Sequence, residues 1–240
     1  AALQPDFLFS FYYRLMLKAP LLNLPKSGAW NMHGSLLPKY RGRVPVNWAI
    51  IHGEHETGAT LHRMVDKPDA GGILARQAVP ILPDDTAFEV FNKVTLAAEM
   101  ALDSILPDLL AGRAVAIEQD LRTGSYFGGR KAEDGRIDWS KPAAAVHNLI
   151  RAVAPPYPGA FSDTARGRLR VLRSLHPSGA IGPYGGQSTL FANDGRLYAE
   201  CGDGRLLRLL AVELDGLPLA PESADDQLNA IFGTPTLSLS

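Results

Sequence analysis

Asn31 and His33 stand two residues apart in Gly28-Ala29-Trp30-Asn31-Met32-His33, a segment closed by Gly34. In a β-strand, residues two apart share a face. The segment therefore presents an amide and an imidazole side by side at its carboxyl end, where ligands bind in open α/β sheets. That pair can stabilise an oxyanion and carry a proton. A third group, Asp69, lies in Asp66-Lys67-Pro68-Asp69-Ala70-Gly71-Gly72, a turn-rich stretch between two strand-like runs. As a carboxylate near an imidazole it could hold the ring charged or accept a proton from it. Spacing alone also fits a structural histidine at a strand end and an aspartate that closes its own turn.

The surrounding pattern supplies elements to position such a trio. Asp6–Phe11 reads as a short buried strand, Gly28–His33 as a second, and Arg43–His52 as a helix with Pro45 in its first turn. Thr57–Val65 and Gly72–Ile81 read as neighbouring strands. Thr86–Leu110 reads as the longest helix: Thr86 and Glu89 are spaced as a capping box, and Phe88, Phe91, Ala98, Leu102, Ile105 and Leu109 are expected on the core face. A further helix is expected from Ser140 to Val153. Beyond Tyr157 the period of 3.6 gives way to short alternating runs between Gly, Asp and Pro turns, at 169–175, 189–192, 197–200 and 206–214. The division expected is 1–120, a linker at 121–140, and a small β-barrel-like domain at 141–240.

Composition narrows the class. The chain has 240 residues, 46% hydrophobic and 20% charged, which excludes whole-chain disorder. No apolar run approaches the ~18 residues of a membrane span. With one cysteine, Cys201, no internal disulfide forms, so a cytoplasmic setting and an inert thiol are expected. Residues 122–176 hold ten Lys and Arg against four Asp and Glu, a local excess that suits an anionic ligand or an ordinary solvated face. The alternation of Arg166, Arg168, Arg170 and Arg173 suggests an exposed strand edge. His52, His55 and His62 read as solvated. No His/Cys cluster has metal-ligand spacing.

Asn31-Met32-His33-Gly34-Ser35-Leu36-Leu37-Pro38-Lys39-Tyr40-Arg41-Gly42 resembles the signature of the folate-dependent formyltransferases, and Pro68-Asp69-Ala70-Gly71-Gly72 resembles that family's aspartate loop. The likeness continues through Trp139, Ile150-Arg151-Ala152 and Tyr157-Pro158-Gly159-Ala160-Phe161. It implies an α/β fold: a Rossmann-like parallel-sheet formyltransferase domain followed by a small OB-like β-barrel. It also implies 10-formyltetrahydrofolate as co-substrate without a metal, and Asn31, His33 and Asp69 as the catalytic trio, His33 being charged. Folate contacts would come from Leu15, Met16, Leu17, Arg43, Val65, Asp66, Lys67, Pro68 and Asp69. Phe9–Arg14, His33–Trp48, Gly53–Met64 and Val146–Phe161 resemble most the subgroup that formylates UDP-4-amino-4-deoxy-L-arabinose in lipid A modification and polymyxin resistance. Arg130 and Lys131 are the candidates for its diphosphate. The family's alternatives are formylation of methionyl-tRNA, the one case bringing in nucleic acid, hydrolysis of the formyl-folate, and an inactive homologue.

The family begins with further βα units, on the order of 70 residues, ahead of the point matching Ala1, whose neighbourhood reads as the tail of a helix. Without those units the strand at 6–11 would be an apolar edge, and the first half is expected to be poorly soluble and inactive. The dehydrogenase domain of bifunctional members has no counterpart before Ser240, so oxidative decarboxylation is not expected.

Overall fold

The structure, a computed structural model, describes residues 4–13, 15–232 and 236–239. Of the helix tail expected over residues 1–5, Gln4 and Pro5 are not helical and the rest lies outside the described residues, as does Arg14 of the Phe9–Arg14 segment. The chain divides into two units, one of residues 1–49, 54–81 and 89–129, the other of 50–53, 82–88 and 130–240.

In chain order the first part contains β1 (Leu8–Phe11), α1 (Ala19–Leu22), β2 (Ala29–His33), β3 (Arg41–Gly42), α2 (Pro45–Ile51), β4 (Glu56–Arg63), β5 (Ile73–Pro80), α3 (Ala87–Leu110) and β6 (Tyr126–Phe127). Four strands form a sheet in the order β1-β2-β4-β5. Its parallel character lies in β1 and β2, paired Leu8 to Ala29 through Phe11 to Met32. β4 and β5 continue it as an antiparallel hairpin. β2 and β4 are interior strands, and both faces of β4 are covered. That is why β4 reads Thr-Gly-Ala-Thr-Leu-His across six consecutive buried positions rather than alternating. β3 and β6 form a separate parallel pair.

The long helix starts directly after Thr86, but its buried face differs from expectation. Ala87, Val90, Val94, Ala97, Ala101 and Leu109 are buried, whereas Phe88 is 47% exposed. The inward stripe is made of small residues at spacings of three and four. The large aromatics suggested a stripe rotated away from it. Phe91 instead meets the Tyr12 ring, centroids 5.3 Å apart.

The second part contains α4 (Ala143–Ala152), β7 (Ala160–Thr164), β8 (Gly167–Ser174), β9 (Thr189–Asn193), β10 (Arg196–Glu200), β11 (Leu206–Leu214), β12 (Leu217–Leu219), α5 (Ala224–Phe232) and β13 (Thr236–Ser238). Its strands make one antiparallel sheet in the order β13-β9-β10-β11-β8-β7, with β12 on β11. This is a curled half-barrel. Its core joins Trp139, Val146 and Ile150 to Leu169, Val171, Leu190, Leu197, Leu207 and Leu209. Trp139 Nε1 donates to Ser162 Oγ at 2.7 Å, satisfying the indole as it is buried. β8 is not an edge: β7 and β11 flank it, and its arginines line a solvent face. Arg168 is paired there with Asp163, which also meets Arg136 from outside the strand, and Arg170 is paired with Glu213.

Candidate active site

β2 and the loop after β4 bring Asn31, His33 and Asp69 together. Asn31 lies opposite His62 of β4 in direct register, and cross-strand partners on one face approach within side-chain contact. Asn31 Nδ2 is 3.1 Å from His62 Nε2. Asp69 sits between two imidazoles, with His33 Nδ1 3.6 Å from Oδ2 and His62 Nε2 3.4 Å from Oδ1. Far from being solvated, His62 is 2% exposed. A strand-parity count from Thr57 places it on a definite face, but its partnership with Asn31 depends on the β2–β4 register, which is not local to either segment.

The loops that carry these groups are held by backbone contacts. Asp69 adopts the left-handed region, φ 51°, and its Oδ2 accepts the Gly42 amide at 2.8 Å. Gly42 itself has φ 100°, and a side chain there would collide with the Phe127 carbonyl. Gln119 Nε2 donates to the carbonyls of Asp69 and Gly71 at 3.1 and 2.6 Å. Gln119 therefore clamps the aspartate loop from 50 residues away in sequence, a role that no local pattern announces.

The same geometry assigns the tautomers. A carbonyl only accepts, so His33 Nε2, 2.8 Å from Tyr40 O, carries the proton. Likewise His62 Nδ1, 2.9 Å from Arg63 O, carries its proton. The other nitrogen of each ring faces Asp69. Burial pushes the His33 pKa down, and the opposing pull of Asp69 and the Tyr40 carbonyl does not restore it. Burial alone would raise Asp69, but the two histidines and the Gly42 N–H outweigh it and hold the carboxyl below its usual range. At neutral pH the site holds an ionised Asp69 beside a neutral His33.

A cleft runs past this group. Ser10, Tyr13, Leu15, Met16, Leu17 and Leu22 line it together with Asn31, His62, Met64, Val65, Pro68 and Asp69. Leu15 and Met16 are 70% and 59% exposed, an apolar wall that costs free energy in water and suits a flat ring. Of the residues expected around folate, Leu15, Met16, Leu17, Val65, Pro68 and Asp69 line the cleft. Asp66 and Lys67 are exposed and outside its lining. Arg43 is exposed against Gly129, where an added Cβ would lie 3.3 Å from its Nη1. Arg130 and Lys131 belong to the second unit. There Arg130 donates to the Asp134 carbonyl and the Lys131 amide to the Asp134 carboxylate, both at 2.6 Å. Cys201 is buried, its thiol pushed up to about 12 by burial and by Asp203 and Glu200, which is the inert reading. Among the described residues, no group of three or more His, Cys, Asp or Glu could hold a metal ion, and no helix is long and apolar enough to cross a membrane.

Comparison with known proteins matches the two parts to one family. Residues 1–106 match the formyl transferase model, and residues 130–223 match the formyl transferase C-terminal domain. The chain belongs to the formyl transferase family and is an enzyme of that type. Among solved structures it is similar to an N-formyltransferase from Helicobacter canadensis in complex with folinic acid and dTDP-3-aminofucose, at 22% identity over 84% of this chain and 72% of that one, TM-score 0.70. It also resembles a 4-N formyltransferase from Francisella tularensis, at 25% identity over 67% and 66%, TM-score 0.60. HypX from Aquifex aeolicus in complex with tetrahydrofolic acid matches at 18% identity over 96% of this chain and 40% of that one, TM-score 0.69.

Proposed function

We propose that the chain transfers the formyl group of 10-formyltetrahydrofolate to the amine of a nucleotide-linked sugar, with UDP-4-amino-4-deoxy-L-arabinose as the acceptor. The observation that carries this reading is the convergence of Asn31, His33 and Asp69 beside an apolar cleft in the first unit. The similar structures from Helicobacter canadensis and Francisella tularensis, described as an N- and a 4-N formyltransferase, support an amine acceptor, the former's dTDP-3-aminofucose supports a nucleotide sugar, and the subgroup likeness in sequence favours the UDP sugar.

In this proposal the pterin lies against Leu15–Leu17 and Val65, and the formyl carbon reaches Asn31 and His33. The sugar nitrogen forms a bond to the formyl carbon, and the carbonyl electron pair moves onto oxygen, where the Asn31 amide donates to it. The sequence alone suggests that His33 starts charged. Its burial favours the neutral ring instead, so His33 takes the proton released from the attacking nitrogen and becomes charged beside Asp69. The intermediate then collapses. The bond from carbon to N10 breaks, N10 receives that proton, and the formylated sugar and tetrahydrofolate leave. Atoms and charge balance without another reactant.

The test is an acceptor panel: UDP-4-amino-4-deoxy-L-arabinose, dTDP-linked 3- and 4-amino sugars, methionyl-tRNA, and no acceptor, each with 10-formyltetrahydrofolate. Tetrahydrofolate formation dependent on the UDP sugar supports the proposal. Turnover with tRNA, formate release without acceptor, or no turnover at all overturns it.

A further inference from the structure

His62 stands outside the trio, yet it is the most enclosed polar side chain at the site. Its Nδ1 proton is committed to the carbonyl of the next residue, Arg63, at 2.9 Å. That carbonyl is packed against Gly71, where any side chain would strike it. The backbone thus fixes which His62 nitrogen is free. The free one, Nε2, faces Asn31 Nδ2 at 3.1 Å. A side-chain amide can swap its oxygen and nitrogen by a half-turn, and only its hydrogen-bond partners decide between the two orientations. An acceptor at Nε2 selects the orientation in which nitrogen faces His62. The second N–H of the same nitrogen then remains for another acceptor in the cleft.

We propose that His62 is a positioning residue, whose unprotonated Nε2 sets the orientation of the Asn31 amide so that an N–H is presented to the formyl oxygen. The inference rests on the proposed function, because the group being aimed is the oxyanion donor of that reaction. Asp69 Oδ1, 3.4 Å from the same Nε2, is an acceptor and cannot substitute for Asn31 as its donor. With Nδ1 committed to the Arg63 carbonyl, the Asn31 N–H is the side-chain donor beside Nε2. His62 carries the constraint through the sheet, from the Arg63 carbonyl on one side of its ring to the amide on the other.

Two measurements test this. First, His62→Leu and His62→Gln are assayed for formyl transfer, each alone and with Asn31→Ala. Misaiming a reacting-centre donor should lower kcat about 10- to 100-fold in His62→Leu with KM for folate little changed. His62→Gln supplies an acceptor oxygen and should recover most of that loss. In the Asn31→Ala background His62→Leu should change kcat less than about twofold, because coupled residues do not add. Additive losses, or a Gln variant no better than Leu, would overturn the proposal. Second, the 15N shifts of His62 in the unaltered protein report its tautomer without turnover. A protonated Nδ1 and bare Nε2 at pH 7.5 are expected, and the reverse overturns the inference even if a variant fails to fold. Absence of transfer by the unaltered chain to every acceptor counts against the proposed function. The tautomer result still judges His62.

Discussion

Three buried histidines separate the two units by how their nitrogens are used. In the second unit, His147 is fully enclosed and fully matched: Nδ1 meets Ser174 Oγ at 2.8 Å and Nε2 meets the Pro83 carbonyl at 2.9 Å. Burial lowers its pKa, and both ring nitrogens have hydrogen-bond partners, with Asp84 Oδ1 a further 3.6 Å from Nε2. Glu200 is similar, a buried carboxylate that accepts the backbone amides of Tyr184 and Gly186. In the first unit, His33 has one nitrogen held by the Tyr40 carbonyl and the other turned toward Asp69, while His62 is held by the Arg63 carbonyl and meets both Asn31 and Asp69 with its second nitrogen. Burial as such does not distinguish a working histidine from a structural one. The distinction lies in whether its second nitrogen meets a backbone carbonyl or the side chains of the candidate site.

This contrast can be tested from the structural side by removing what fills the second unit. Trp139→Ala deletes the largest fully buried side chain in that core, together with its bond to Ser162. It should cost about 3–5 kcal/mol of stability, read as a lowered urea midpoint. His147→Leu leaves the Ser174 hydroxyl and the Pro83 carbonyl unmatched and should cost about 1–3 kcal/mol. The kcat of the folded fraction should stay the same, and a selective loss of kcat would erase the contrast. Gln119→Ala frees the aspartate loop of two hydrogen bonds and should cost about 1 kcal/mol while lowering formyl transfer. Unchanged transfer would mean that Gly42 alone holds Asp69. The smallest effect is in pH. The folded-state pKa values of His33 and His147 lie below 6.5, so as pH falls below about 6.5 the unfolded chain takes up protons before the folded one does. Stability should therefore fall from pH 7.5 to pH 5.5, and a flat thermal midpoint over that range would contradict these directions.

Much of the arrangement can be read from the amino acids. β2 and β4 can be read as strands, and the pairing of Asn31 with His33 follows from strand parity. The aspartate loop follows from its turn residues. The remainder depends on contacts made at a distance. His62 belongs to the site through the β2–β4 register, and Gln119 through a loop 50 residues away. The buried stripe of the long helix was obscured because Val90, Val94, Ala97 and Ala101 are smaller than the phenylalanines beside them. β7, β12 and β13 are three to five residues long, too short to show a period of their own. The excess of positive charge at 122–176 suited an anionic ligand or a solvated face alike, and three of its arginines, Arg136, Arg168 and Arg170, are paired within the second unit.

The central claim is that Asn31, His33 and Asp69, the first and last of which line the first unit's cleft, perform formyl transfer. The direct measurement is kcat for His33→Ala and Asp69→Ala with the proposed UDP sugar, alongside folate affinity by fluorescence and a cooperative unfolding transition. The account predicts that turnover drops by at least ~10²–10³-fold in each variant, with the fold retained and folate still bound. Turnover near that of the unaltered protein in either variant would contradict it.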